Sequence, residues 1–184
     1  MQLKSILLNV ALSSFLSTAS ADCQLANEII DTDKFNKHTD DEKLCLSQGE
    51  GTWTFAMELS EVNFPSFDAD NPFAGFVANQ GFAIYDHTCA LKGSYDPHQN
   101  NDCGTPYVIM ENFLTQVLTI TGVNFSPAAG SFSFNYGDGK YIINNNGCDC
   151  VDASDGLRAA AKCKCAFPLD GTFDGKRRAI DFKA

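Results

Sequence analysis

The chain has 184 residues, with 13 Lys and Arg against 23 Asp and Glu, a formal net charge of −10, eight cysteines and 15 phenylalanines. That acidity argues against nucleic acid or an anionic membrane as a main partner. The length suits one domain with a real core.

Residues 1–21 read as a secretory signal peptide. Lys4 is the only charge before Asp22, an apolar run follows at 6–16, and Ala19, Ser20 and Ala21 supply small residues where a signal peptidase needs them. The run is too short for a membrane span. The expectation is a secreted, extracellular chain of residues 22–184 forming a single disulfide-rich β domain, with net charge −11 once Lys4 is removed. All eight cysteines fall in it: Cys23, Cys45, Cys89, Cys103, Cys148, Cys150, Cys163 and Cys165. An even count in an oxidising compartment reads as four disulfides.

Residues 22–50 are polar, with room for a short helix at 25–30. From Trp53 the pattern turns to period two: Trp53, Phe55, Met57 and Leu59 alternate with Thr54, Ala56, Glu58 and Ser60, as in a half-buried strand. A loop is expected over 63–73, marked by Pro65, Asp68, Asp70, Asn71 and Pro72. The next strand covers 81–89, and a second loop runs to Cys103. Residues 105–110 and 113–121 give one bent strand or two. Residues 131–143 read as a hairpin, with Phe132, Phe134 and Tyr136 on one face, a turn at Asp138 and Gly139, and Tyr141 and Ile143 returning. Final strands are expected at 148–151, 162–167 and 172–173. The sum is an all-β fold, an antiparallel sandwich or barrel of seven to ten short strands.

Residues 148–165 read CDCVDASDGLRAAAKCKC. Opposed residues of an antiparallel pair have numbers with a constant sum. Cys148 with Cys165 and Cys150 with Cys163 both give 313, so both pairs can meet on one face of one ladder. Asp149 with Lys164 gives the same sum and sets opposite charges across the strands. The expected bridges are therefore Cys148–Cys165 and Cys150–Cys163. Zinc ligands are usually spaced C-x2-4-C and a redox centre is usually C-x-x-C, so neither metal nor cofactor is expected. The insert, 151–162, is then an exposed loop fixed at both ends, with a helical turn at 157–161. Asp152, Asp155, Leu157 and Arg158 are its candidate contact residues.

Cys89 and Cys103 bracket a polar loop and Gly104 follows them. Cys150 and Cys163 bracket a second loop, and a Trp-bearing strand opens shortly after Cys45. In this spacing, over about residues 45–175, the chain resembles the fungal family of the major Alternaria allergen. The resemblance implies a β-barrel, local bridges closing each loop (Cys89–Cys103 among them), often a homodimer, and no catalytic constellation. Its members act as allergens and as effectors or elicitors that bind plant defence proteins. Cys148, Cys165 and the long segment before Cys45 depart from the family. Cys45 stands where the family has its dimer-forming cysteine, but Cys23 is available to pair with it.

No GxSxG, HExxH, P-loop or GxGxxG occurs. His87, beside Asp86, and His98 are the candidate acid and base for a secreted hydrolase or nuclease. Tyr85, Tyr95 and Tyr107 are the candidates for an aromatic row in a carbohydrate- or cell-wall-binding module. Asp68, Asp70 and Asn71 lack the rest of a calcium loop. Asn124-Phe125-Ser126 is the one glycosylation sequon, and residues 176–178 are a candidate processing site. The leading expectation is a non-enzymatic secreted fungal effector or elicitor that binds a host extracellular protein.

Overall fold

The structure is a computed structural model. It describes residues 23–27, 44, 45, 47–68, 71–97, 104–126, 129–143, 145, 147–156 and 158–173, with the backbone alone for 61–68 and 71–79. The expected signal peptide, residues 28–30 of the helix expected at 25–30, Asp70, His98, Cys103, Leu157 and residues 176–178 lie outside this set.

The described residues form ten strands: β1 (Cys23–Gln24), β2 (Thr52–Asp68), β3 (Asn71–Tyr85), β4 (Leu91–Tyr95), β5 (Tyr107–Ile109), β6 (Leu118–Asn124), β7 (Ser131–Tyr136), β8 (Gly139–Ile142), β9 (Cys148–Asp152) and β10 (Arg158–Pro168). They make two five-stranded sheets, ordered β1-β5-β6-β7-β8 and β4-β3-β2-β10-β9. The fold is all-β, as the period-two patterns require, and the sheets face each other without closing into a barrel. One sheet is mixed rather than antiparallel, because β1 runs parallel to β5. Cys23 N donates to Pro106 O and Leu25 N to Val108 O. Leu25 thus pairs with β5 where the helix was expected to begin.

The sheets are joined by aromatic side chains. From one side come Phe55, Met57 and Leu59 of β2, Phe82 and Ile84 of β3, Tyr95 of β4 and Phe167 of β10. From the other come Tyr107, Ile109, Leu118, Ile120, Phe132, Phe134, Tyr136 and Tyr141, all buried. Phe55 meets Phe134 and Phe132 edge-on at 4.9 and 5.2 Å and stacks on Phe82 at 5.5 Å. Phe134 stacks on Tyr141 at 4.6 Å, and Tyr136 meets Phe167 edge-on at 4.7 Å. Each such pair contributes about 0.5–1.5 kcal/mol beyond its buried area.

Several boundaries differ from the sequence reading. The loop expected at 63–73 is a continuation of β2 and β3, paired through Pro65↔Phe73 and Asp68↔Asn71. Both prolines are tolerated because this ribbon extends past Val62, where β10 ends its pairing, so among the described residues its strands have no outer neighbour there. β4 occupies part of an expected loop, and β3 ends at Tyr85 rather than Cys89. Cys89 instead sits in a turn with φ +66°. The β7–β8 turn is one residue earlier than expected. Tyr136 pairs with Gly139, leaving Gly137 and Asp138 as the turn, and Gly137 takes φ +54°. That register places Phe134 opposite Tyr141, the stacked pair. No strand forms at 172–173.

Three bridges lie within the described residues: Cys148–Cys165, Cys150–Cys163 and Cys45–Cys89. The first two are the expected staples. The third overturns both other expectations, Cys89–Cys103 from the family resemblance and Cys23–Cys45. Its cause is topological. Cys45 precedes β2 and Cys89 follows β3, and antiparallel pairing of those strands (Thr54↔Tyr85) returns the chain to where it entered. Leu44 and Cys45 then pack on Ala56, Ala83 and Tyr85. Cys23 is also disulfide-bonded.

Candidate functional site

The bridged hairpin follows the constant sum along its whole length. Cys148↔Cys165, Asp149↔Lys164 and Cys150↔Cys163 pair as expected, each cysteine pair with Cα atoms 4.0 Å apart. This is the close, non-hydrogen-bonded type of pair that a disulfide needs. The same register continues through Ala153, whose N donates to Ala160 O, to reciprocal bonds of 2.9 Å between Asp155 and Arg158. Gly156, at φ +56°, opens the tight turn.

The expected exposed loop over 151–162 is therefore a continuation of the hairpin ladder to Asp155 and Arg158, and residues 158–161 of the expected helical turn are strand. Once two bridges fix the register, every further residue can join the ladder, which satisfies its backbone groups. The candidate contact residues separate accordingly. Asp152 and Asp155 are exposed. The Ser154 hydroxyl, and after it the Ser154 N–H that donates to the Asp152 carboxylate, holds the carboxyl below the usual range. Arg158 belongs to the sheet. Its Nε donates to Ser60 Oγ at 2.9 Å and it pairs with Glu58 at 3.4 Å. Glu58, Ser60 and Lys162 are buried on that face. Leu157 lies outside the described residues.

An open groove of about 640 Å³ lies beside the hairpin. Its walls are Gly122, Val123 and Asn124 of β6, the turn at Ala129 and Gly130, Ser131–Ser133 of β7, Ile142 and Ile143 at the end of β8, and Cys150. Gly130 sets its depth: a Cβ there would stand 2.9 Å from Leu59 Cδ1 and 3.1 Å from Ala161 Cβ, so any other residue would push Leu59 aside to keep this turn against the opposite sheet. The Gly130 carbonyl oxygen lies 3.2 Å from Cys150 Sγ and 3.5 Å from Cys163 Sγ. Asn124 holds the far side: its amide donates to Ala129 O and its oxygen accepts from Ser126 N. Ile142, 52% exposed, is the apolar rim. None of the lining side chains titrates in the physiological range, because the one cysteine is oxidised.

The other candidates have different roles. Tyr85, Tyr95 and Tyr107 are buried, so they form no exposed aromatic row. Desolvation raises the pKa of all three, with Glu58 adding to the effect at Tyr85 and Glu111 at Tyr95. Asp86 closes its own turn, accepting from Thr88 N, Thr88 Oγ1 and Ala90 N. Desolvation opposes its ionisation, but these bonds and the neighbouring His87 outweigh it and lower the pKa. The His87 carbonyl accepts from Ser47 and Gln48. This region is thus a clasp around Cys45–Cys89. Among the described residues no cluster of three or more His, Cys, Asp or Glu could hold a metal ion, and no helix is long and apolar enough to cross a membrane. Sequence reasoning found Cys150 but missed the groove. Its one signal was Gly130 just before β7, which reads as an ordinary turn until the opposite sheet is in place.

Comparison with protein-family models, curated proteins and solved structures yields no match.

Proposed function

We propose that the chain is a secreted binding protein that acts outside the cell on a host protein, in the manner of a fungal effector or elicitor, and catalyses no reaction. The groove beside the bridged hairpin carries the reading. It is open, uncharged, rimmed by an exposed isoleucine and built on paired strands. Such a surface can seat a protein segment through apolar contact and backbone hydrogen bonds, and it holds no group able to exchange a proton with a substrate. Secretion is supported by the disulfides and by the leader-like residues 1–21. The effector role draws on the cysteine spacing shared with the Alternaria allergen family, from whose implied pairing Cys45–Cys89 departs.

The test begins with the immobilised mature chain in plant apoplastic fluid. Captured protein is identified, purified and titrated calorimetrically against wild type, Ile142→Glu, Ser133→Trp and, as a control at the hairpin tip, Asp155→Ala. Both groove variants should bind at least about tenfold more weakly, or 1.4 kcal/mol, with unchanged melting, and the control should bind normally. Partner binding indifferent to both groove variants, or turnover of an extracellular polymer by the pure chain, would defeat the proposal.

A further inference from the structure

The two staples of the hairpin are chemically unequal. Cys148 and Cys165 are both buried, at 6% and 0% exposed. Cys163 is equally closed, but Cys150 is only partly buried and lines the groove. Thiol–disulfide exchange needs the incoming thiolate in line with the sulfur–sulfur bond, behind the sulfur attacked. A bridge between directly opposed strand residues lies across the strands. β9 is the last strand of its sheet. Among the described residues no strand pairs with the outer side of β9, so Cys150 is the sulfur on the outer strand, and it is the one that lines the groove. The line from Cys150 through Cys163 runs into β2, where Met57 is fully buried opposite Cys163. The Gly130 oxygen is nearly equidistant from the two sulfurs, so it lies beside the bond and leaves its axis free.

We propose that Cys150 is a site of reversible S-thiolation by a low-molecular-weight thiol, entered through the groove and closed again by Cys163. The thiolate attacks Cys150 Sγ, a new sulfur–sulfur bond forms, and the Cys150–Cys163 bond breaks. Its electron pair leaves on Cys163 Sγ, which takes a proton from water. The small thiol is oxidised into the mixed disulfide as the protein bridge is reduced, so no other oxidant is needed. The Cys163 thiol then has an acceptor in place, the Gly130 carbonyl. Its apolar surrounding raises its pKa, so the closed bridge is favoured at equilibrium, and return proceeds through the fraction of Cys163 that gives its proton back to water. Cys163 Sγ attacks Cys150 Sγ, the small thiol is expelled, and the bridge is restored. Throughout, Cys148–Cys165 keeps the strands in register two residues away. This chemistry does not depend on the groove having a protein partner.

Glutathione is the probe. The native mature chain is incubated with it at mildly alkaline pH, quenched, alkylated and mapped by peptide mass. The expected first product within the hairpin carries one glutathione on Cys150 and one alkyl group on Cys163, and forms at least about tenfold faster than an adduct on Cys148 or Cys165. Dilution of the thiol before alkylation should restore the starting mass. Ile142→Trp, which places a ring across the rim, should slow the adduct several-fold without changing the melting temperature. First labelling of the hairpin at Cys148, Cys163 or Cys165, simultaneous opening of both staples, or a rate unaffected by Ile142→Trp overturns the proposal.

Discussion

Removing the two staples singly and together should give strongly non-additive losses of stability. The bridges span 17 and 13 residues. Either one alone restricts the unfolded chain by about 3 kcal/mol. Loop entropy varies as 1.5RT ln n, so exchanging one loop for the other alters this by only about 0.2 kcal/mol. With one bridge present, the second closes a small ring whose ends are already adjacent, and should add less than about 1 kcal/mol of chain entropy. Replacing Cys148 and Cys165 by alanine, or Cys150 and Cys163, should therefore cost little beyond the lost packing of the sulfurs. Replacing all four should cost about 3 kcal/mol more than packing alone. The packing losses are common to both arms of the double-mutant cycle and drop out, leaving a coupling of about 1–3 kcal/mol. Urea unfolding followed by tyrosine and tryptophan fluorescence measures it. If the fourfold variant loses only the sum of the two paired variants, the staples are not redundant and the argument from nested loops fails.

Three further outcomes are expected. Burial raises the pKa of Tyr85, Tyr95, Tyr107 and Tyr141, the last to about 12, helped there by Tyr136 and Asp170. The folded state thus keeps phenol protons that the unfolded state releases near pH 10, so stability is intact below pH 10 and falls as pH rises towards 12. Absorbance at alkaline pH should show these phenols ionising late and together with unfolding; early ionisation of most of the tyrosines would contradict it. Gly137→Ala would put a Cβ into the Gly171 backbone at a positive φ, and should lower stability by about 2–3 kcal/mol by chemical denaturation. Peptide mapping without reduction should find Cys23 joined to Cys103, the one cysteine left once three bridges are assigned; β1 lies beside Tyr107, four residues beyond it.

The hairpin was the most legible part of the sequence, and the reason is local. Two Cys-x-Cys pairs and an Asp–Lys pair give the same sum by independent routes, so one register satisfies all three, and it is the register found. The alternation of Trp53, Phe55, Met57 and Leu59 was readable for a similar reason: one buried face fixes side-chain period whatever the partner strand. The same logic misplaced the β7–β8 turn by one residue. Asp138-Gly139 is the stronger turn dipeptide, but Gly137-Asp138 lets Tyr141 stack on Phe134, and core packing outweighs turn preference.

What stayed hidden depends on chain return over long separations. Cys45–Cys89 exists because β2 and β3 bring their outer ends together, and no spacing rule separates that from a local Cys89–Cys103 loop. The parallel pairing of β1 with β5 likewise joins residues more than eighty positions apart. Arg158 shows the effect at a single side chain. Read locally it is a charge in a solvated loop. Its hydroxyl and carboxylate partners, Ser60 and Glu58, come from a strand a hundred residues earlier, which only the β2–β10 register brings across from it. The groove has the same origin, since Gly130 meets Leu59 and the Cys150–Cys163 bridge only after both sheets are formed. In this fold the register of each hairpin is written locally, and the site is made where two such hairpins from different sheets meet.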